Sequence, residues 1–133
     1  MPRPTRIRPP QRPWFLLAGM ALLAAAPGVA PAHAAPPPIS KSQQFATQAK
    51  KAYVDAKFDR AFDLYQSALR ADPGQAAYLF AAARAAHQAG KLDRAEETYL
   101  LALKATELAP DLRAKCQTYL DGIATTRAEA RAQ

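Results

Sequence analysis

The chain contains no asparagine, one cysteine, one tryptophan and two histidines among its 133 residues. Each scarcity removes a class of explanation. A single thiol, Cys116, cannot close an internal disulfide, so the fold must be held by packing alone, and the residue reads as a small apolar group on an inner helix face. An intermolecular disulfide is the sharper alternative. Beyond Ala34 there is one histidine, His87, distant from Cys116 and without neighbours at metal-ligand spacing. Serine is too sparse for an arranged triad, and no glycine-rich phosphate loop is present. Glu96 and Glu97 are adjacent on a predicted helix and project to different sides, so they cannot act as a facing acid and base. These absences predict a protein that is not an enzyme and needs no metal or cofactor. Runs of β-favouring residues are almost missing as well, whereas Ala, Leu, Arg, Lys, Gln and Glu dominate from Ser40 to Ala130. The predicted fold is all-α.

An apolar run long enough to span a bilayer is also lacking. Trp14 to Ala26 falls well short of the roughly 20 residues that a spanning helix needs, and Pro27 and Pro31 would interrupt any extension. Arg3, Arg6, Arg8 and Arg12 precede this run, and the small-residue site Ala32-His33-Ala34 follows it. That is the three-part layout of a secretory signal peptide, residues 1–34, with cleavage expected after Ala34. Retention as an uncleaved anchor is the competing reading. No cysteine stands near the cleavage site to accept a lipid, and no paired arginines lie between Met1 and Arg12, which favours the general export route. Together with the alanine and arginine usage, the layout predicts a periplasmic or secreted protein of a bacterial cell envelope.

Cleavage there removes four of the 18 Lys plus Arg and none of the 11 Asp plus Glu, so the net charge of +7 falls to +3. A mixed-sign surface of that size bears on solubility and does not argue for nucleic acid or an anionic membrane. Residues 35–133 suffice for one small domain. Pro36, Pro37 and Pro38 make residues 35–39 an extended spacer, and Ser40 with Gln43 forms a capping box ahead of Phe45. Breakers and periodicity then give five helical segments: about Ser40 to Asp55, Phe58 to Ala71, Gln75 to Gln88, Leu92 to Glu107 and Pro110 to Glu129. Asp72-Pro73-Gly74 and Gly90 supply two of the turns, while Ala56 stands where the first unit would want a glycine.

What is abundant is self-similarity. Lys57-Phe58-Asp59-Arg60-Ala61 with Tyr65, Ala68 and Leu69 returns as Lys91-Leu92-Asp93-Arg94-Ala95 with Tyr99, Ala102 and Leu103, every member displaced by the step that separates position 57 from position 91. Eight of the fifteen positions from Lys57 to Ala71 are identical at that step. Such a period, about 34 residues, marks stacked supersecondary units. Each unit carries one apolar stripe in which Ala61 or Ala95 admits a neighbouring helix and Tyr65 or Tyr99 fills the space beyond.

With Ala61, Tyr65, Ala68 and Pro73, and again Ala83, Gly90, Leu92, Ala95, Tyr99 and Ala102, the chain resembles the tetratricopeptide repeat family. The likeness covers about Ser42 to Pro110 and implies repeats at about 42–75 and 76–109, within a helical domain at 40–133. It departs at Gln48, where the family usually has Leu, and at Glu107, where the family's proline is expected. Pro110 stands beyond that place, which predicts an extra helical turn's length before the last helix. That helix, at about 110–130, sets Leu112, Cys116, Tyr119, Leu120 and Ile123 on one side and Arg113, Lys115, Gln117, Asp121 and Arg127 elsewhere, the pattern of a cap on an open stack.

The resemblance further implies a groove lined by the first helix of each unit. Its outward positions carry over to Gln43, Ala46, Lys50, Tyr53 and Val54 in the first unit and to Ala77, Phe80, Arg84, His87 and Gln88 in the second. Lys50 and Arg84 correspond by the repeat step, as do Tyr53 and His87. The implied partner is a peptide or protein segment with an acidic or carboxylate group. The asparagines of the family's carboxylate-clamp members are absent, so chaperone-tail capture is not expected. The alternative reading is a structural subunit that self-assembles or joins a larger envelope complex. Its candidate contacts are Phe80, Leu100 and Leu101, the two leucines replacing Gln66 and Ser67 of the first unit.

Overall fold

The computed structural model describes residues 35–133, and the expected signal segment lies outside the described residues. Pro36 to Gln133 form one compact unit. The described residues hold five helices and no strand: α1 (Lys41–Val54), α2 (Phe58–Ala71), α3 (Ala76–Gln88), α4 (Leu92–Lys104) and α5 (Pro110–Ala132). Each helix packs on the next, and α3 also meets α5. The all-α fold expected from the repeat is therefore present as two helical hairpins side by side with a fifth helix across the end.

Local chemistry explains where the helices begin and turn. Ser40 Oγ accepts from the Gln43 N–H at 3.2 Å, and Gln43 Oε1 accepts from the Ser40 N–H at 3.0 Å, completing the capping box. The α1–α2 and α3–α4 turns share one hydrogen-bond pattern. The Lys57 N–H donates to Ala52 O at 2.8 Å and the Lys91 N–H to Ala86 O at 3.0 Å, each closing the wide ring of a Schellman turn. The residue at the left-handed corner is Gly90 in one turn, with φ 75°, and Ala56 in the other, with φ 57°. Between α2 and α3, Asp72 Oδ1 accepts from the Gly74 N–H at 3.2 Å and so fixes the Asp-Pro-Gly corner.

The extra helical turn expected before α5 is not there, and α4 ends at Lys104 rather than Glu107. Residues 105–109 form an irregular connection anchored by the buried Leu108. Pro110 is not a displaced turn proline. It is the first residue of α5, where its missing N–H costs nothing, and it lies one repeat period after Ala76, the first residue of α3. The period thus runs unbroken from α3 into α5.

Alanine on both sides of each contact brings the helices close, and tyrosine fills what remains. Ala49, Ala61, Ala68, Ala82, Ala83, Ala85, Ala95 and Ala102 are fully buried, and so is Tyr99, while Tyr65 is 5% exposed. Full burial of a large apolar side chain stabilises by about 1.5–3 kcal/mol, so the tyrosines and Ile123 weigh heavily in so small a core. Ser42 Oγ donates to Ala68 O at 3.0 Å and ties α1 to α2. Gln48 is exposed although its equivalents Ala82 and Cys116 are buried, because no hairpin among the described residues precedes α1 to cover it.

Candidate functional site

The face assembled from α1, α3 and α5 is organised around one side chain. Arg84, half-buried in the middle of α3, lays its guanidinium between two rings: its Cζ is 5.5 Å from the centre of the Tyr53 ring and 5.9 Å from that of Tyr119. Its Nη2 donates to Tyr53 Oη at 3.1 Å. Tyr53 is itself held by an edge contact with Phe58, ring centres 5.2 Å apart. Aromatic faces attract a guanidinium by about 0.5–1 kcal/mol at exposed sites and more when water is excluded, so the arginine is pinned in position.

Beneath it lies an aromatic stack. Tyr99 and Tyr119 are parallel, 5.4 Å between centres and 10° between planes, and His87 meets Tyr119 edge-on at 5.7 Å and Tyr99 at 6.2 Å. Phe80 completes the group at 6.2 Å from both tyrosines. Burial pushes the Tyr99 hydroxyl well above its ordinary value, reinforced by Tyr119 and opposed by Arg84. Tyr65 is raised in the same way, first by burial and then by Tyr53. The Cys116 thiol is also pushed up by burial, with Arg113 opposing, so it is a packed and poorly nucleophilic group. A small cavity of about 100 Å³ opens among Tyr53, Tyr65, Phe80, Ala81 and Arg84.

The structure distributes the sequence-derived candidates unevenly. Tyr53, Arg84 and His87 belong to one aromatic and cationic cluster. Lys50, Val54 and Gln88 are exposed, Val54 by 82%, and stand outside that cluster's contacts. Ala46 and Phe80 are buried, at 4% and 8% exposure, and so support the face more than they present it. The repeat step couples Lys50 to Arg84 and Tyr53 to His87, but the contacts made are Tyr53 with Arg84 and His87 with Tyr119. Sequence spacing marks Tyr119 only as a core residue of the last helix; nothing in the repeat places it over Arg84, because its equivalents are Lys51 and Ala85.

A larger depression of about 610 Å³ lies at the α3–α4 turn and is lined by Lys91, Asp93, Arg94, Glu97 and Arg127, among others. Its cations are already neutralised or stacked. Lys91 pairs with Asp59 at 2.5 Å, Arg127 bridges Asp93 and Glu96, and Arg94 sits 5.0 Å from the centre of the Phe62 ring. Among the described residues, no group of three or more His, Cys, Asp or Glu is placed to hold a metal ion, and no helix is long and apolar enough to cross a membrane. No protein-family model matches the chain, and no curated protein gives a match to it.

Proposed function

We propose that this protein is an exported scaffold of the tetratricopeptide-repeat type, acting in the bacterial periplasm or outside the cell without catalytic chemistry of its own. It binds a peptide or a partner-protein segment across α1, α3 and α5, with an acidic side chain or terminal carboxylate directed at Arg84. The observation that carries this reading is the pinned guanidinium. A guanidinium has five N–H donors, and only one bond, to Tyr53 Oη, is made to a side chain among the described residues. An arginine whose plane is already fixed loses little freedom when it grips a carboxylate, which is the condition for a strong charge-assisted contact. Tyr53 and Tyr119 supply rigid contact area on either side, and the exposed Lys50 adds attraction at longer range.

The test compares binding of synthetic peptides with free and with amidated carboxylates, alongside capture of partners from the native envelope. Arg84→Gln is expected to weaken binding of the free-carboxylate peptides by about tenfold or more, and Lys50→Glu to slow their association. Helix content is expected to hold in both variants. Equal binding by wild type and Arg84→Gln at unchanged fold would remove the proposed groove.

A further inference from the structure

The outer side of the second hairpin carries two leucines that its own packing leaves unexplained. Leu100 and Leu101 on α4 are 46% and 48% exposed. The first hairpin has Gln66 and Ser67 at the same two places, so the apolar pair is not a requirement of the repeat. Although α5 packs on α4, it leaves both leucines uncovered.

The charges beside them are ordered about the pair. Glu97 precedes Leu100, and Lys104 follows Leu101 at the same spacing. At about 100° per residue, positions 97, 100, 101 and 104 fall on one side of the helix, and all four residues are exposed. Glu97 and Lys104 lie about 10 Å apart along the axis, too far to pair within their own helix. Neither makes an ion pair among the described residues.

We infer that this face of α4 is an interface between two copies of the chain. The helices pair antiparallel across a two-fold axis that passes between Leu100 and Leu101. That operator sets Leu100 of each copy against Leu101 of the other, and Glu97 of each against Lys104 of the other, so every contact is made twice. A parallel pairing would set Glu97 on Glu97 and Lys104 on Lys104, and like charges opposed in this way favour the antiparallel arrangement over it. The proposal is independent of the Arg84 groove, since none of the four residues touches it.

Sedimentation of the protein, as its own cell processes it, tests this over a micromolar to near-millimolar range. A reversible monomer–dimer equilibrium is expected. Leu100→Gln with Leu101→Ser gives α4 the first hairpin's residues, and should weaken the dimer by about tenfold or more while leaving the melting temperature of the dilute monomer unchanged. Glu97→Lys and Lys104→Glu should each weaken it several-fold. A one-to-one mixture of those two variants should regain wild-type affinity, because both contacts in the mixed dimer join opposite charges. A monomer at every concentration, a dimer indifferent to the leucine replacements, or a mixture no tighter than either charge variant alone would overturn the assignment.

Discussion

Ala56 and Gly90 hold the same corner of two equivalent turns, and the same left-handed backbone is asked of both. For alanine that conformation costs about 1–2 kcal/mol, because its Cβ approaches the following carbonyl. Glycine has no Cβ to crowd. Ala56→Gly should therefore stabilise the protein by up to about 1 kcal/mol after the added freedom of the unfolded chain is deducted, seen as a higher denaturant midpoint at constant slope. The reciprocal change, Gly90→Ala, should destabilise by a similar amount. A Cβ at Gly90 would meet nothing within 4 Å, so the loss would report backbone conformation alone. If both changes shifted stability in the same direction, backbone strain would not be what distinguishes the two corners.

At the scale of elements, α5 is fastened to α4 at both ends by arginines. Arg113 donates to Leu103 O at 2.6 Å and Ala105 O at 2.9 Å, satisfying carbonyls at the end of α4, and Arg127 reaches Asp93 and Glu96 in its first half. Arg113→Ala should cost about 1–2 kcal/mol and loosen α5, because bonds from a charged donor to carbonyls exceed ordinary ones. Hydrogen exchange along α5 and the denaturant midpoint together check this. Unchanged protection would show that packing of Cys116 and Ile123 suffices.

Most of this element arrangement is legible in the residues. The stripes from Phe58 and from Leu92 locate α2 and α4, whose starts at residues 58 and 92 are one period apart, and Ser40 with Gln43 locates α1. The end of α4 is not legible, because it is decided by Arg113 from a later helix and by the burial of Leu108, both tertiary events. In the sequence, Arg113 reads only as a residue off the apolar side of the last helix. The candidate site is half legible for a related reason. The family resemblance implies Tyr53, Arg84 and His87 as facing residues, but pairing by equal position fails where a long side chain reaches across to a neighbouring helix. Tyr119 shows the same limit from the other side, since one ring both stacks on the buried Tyr99 and flanks Arg84.

For the whole molecule, the buried tyrosines set an alkaline limit. Tyr65 and Tyr99 hold their protons to higher pH when folded than their ordinary value of 10.0 allows when unfolded. Above that value the unfolded chain releases protons that the folded chain retains, so stability is complete below it and falls as pH rises further. The melting temperature should accordingly stay level through about pH 9 and drop beyond about pH 10. Tyr99→Phe should make the drop shallower. It should leave neutral-pH stability equal or slightly higher, because the Tyr99 hydroxyl is buried without a hydrogen-bond partner among the described residues. A drop as steep as that of wild type would assign the alkaline loss elsewhere.

Because α5 begins one period after α3, it stands where the first helix of a third hairpin would stand, with no companion helix among the described residues. The positions that bury Ala49 and Ala52 in α1, and Ala83 and Ala86 in α3, become Gln117 and the half-exposed Leu120 in α5. An amide now occupies the notch into which a companion helix would press. That face of α5 is polar where the matching faces of α1 and α3 are apolar, and Gln117→Ala would give it the small residue that both of those helices bury at the same place.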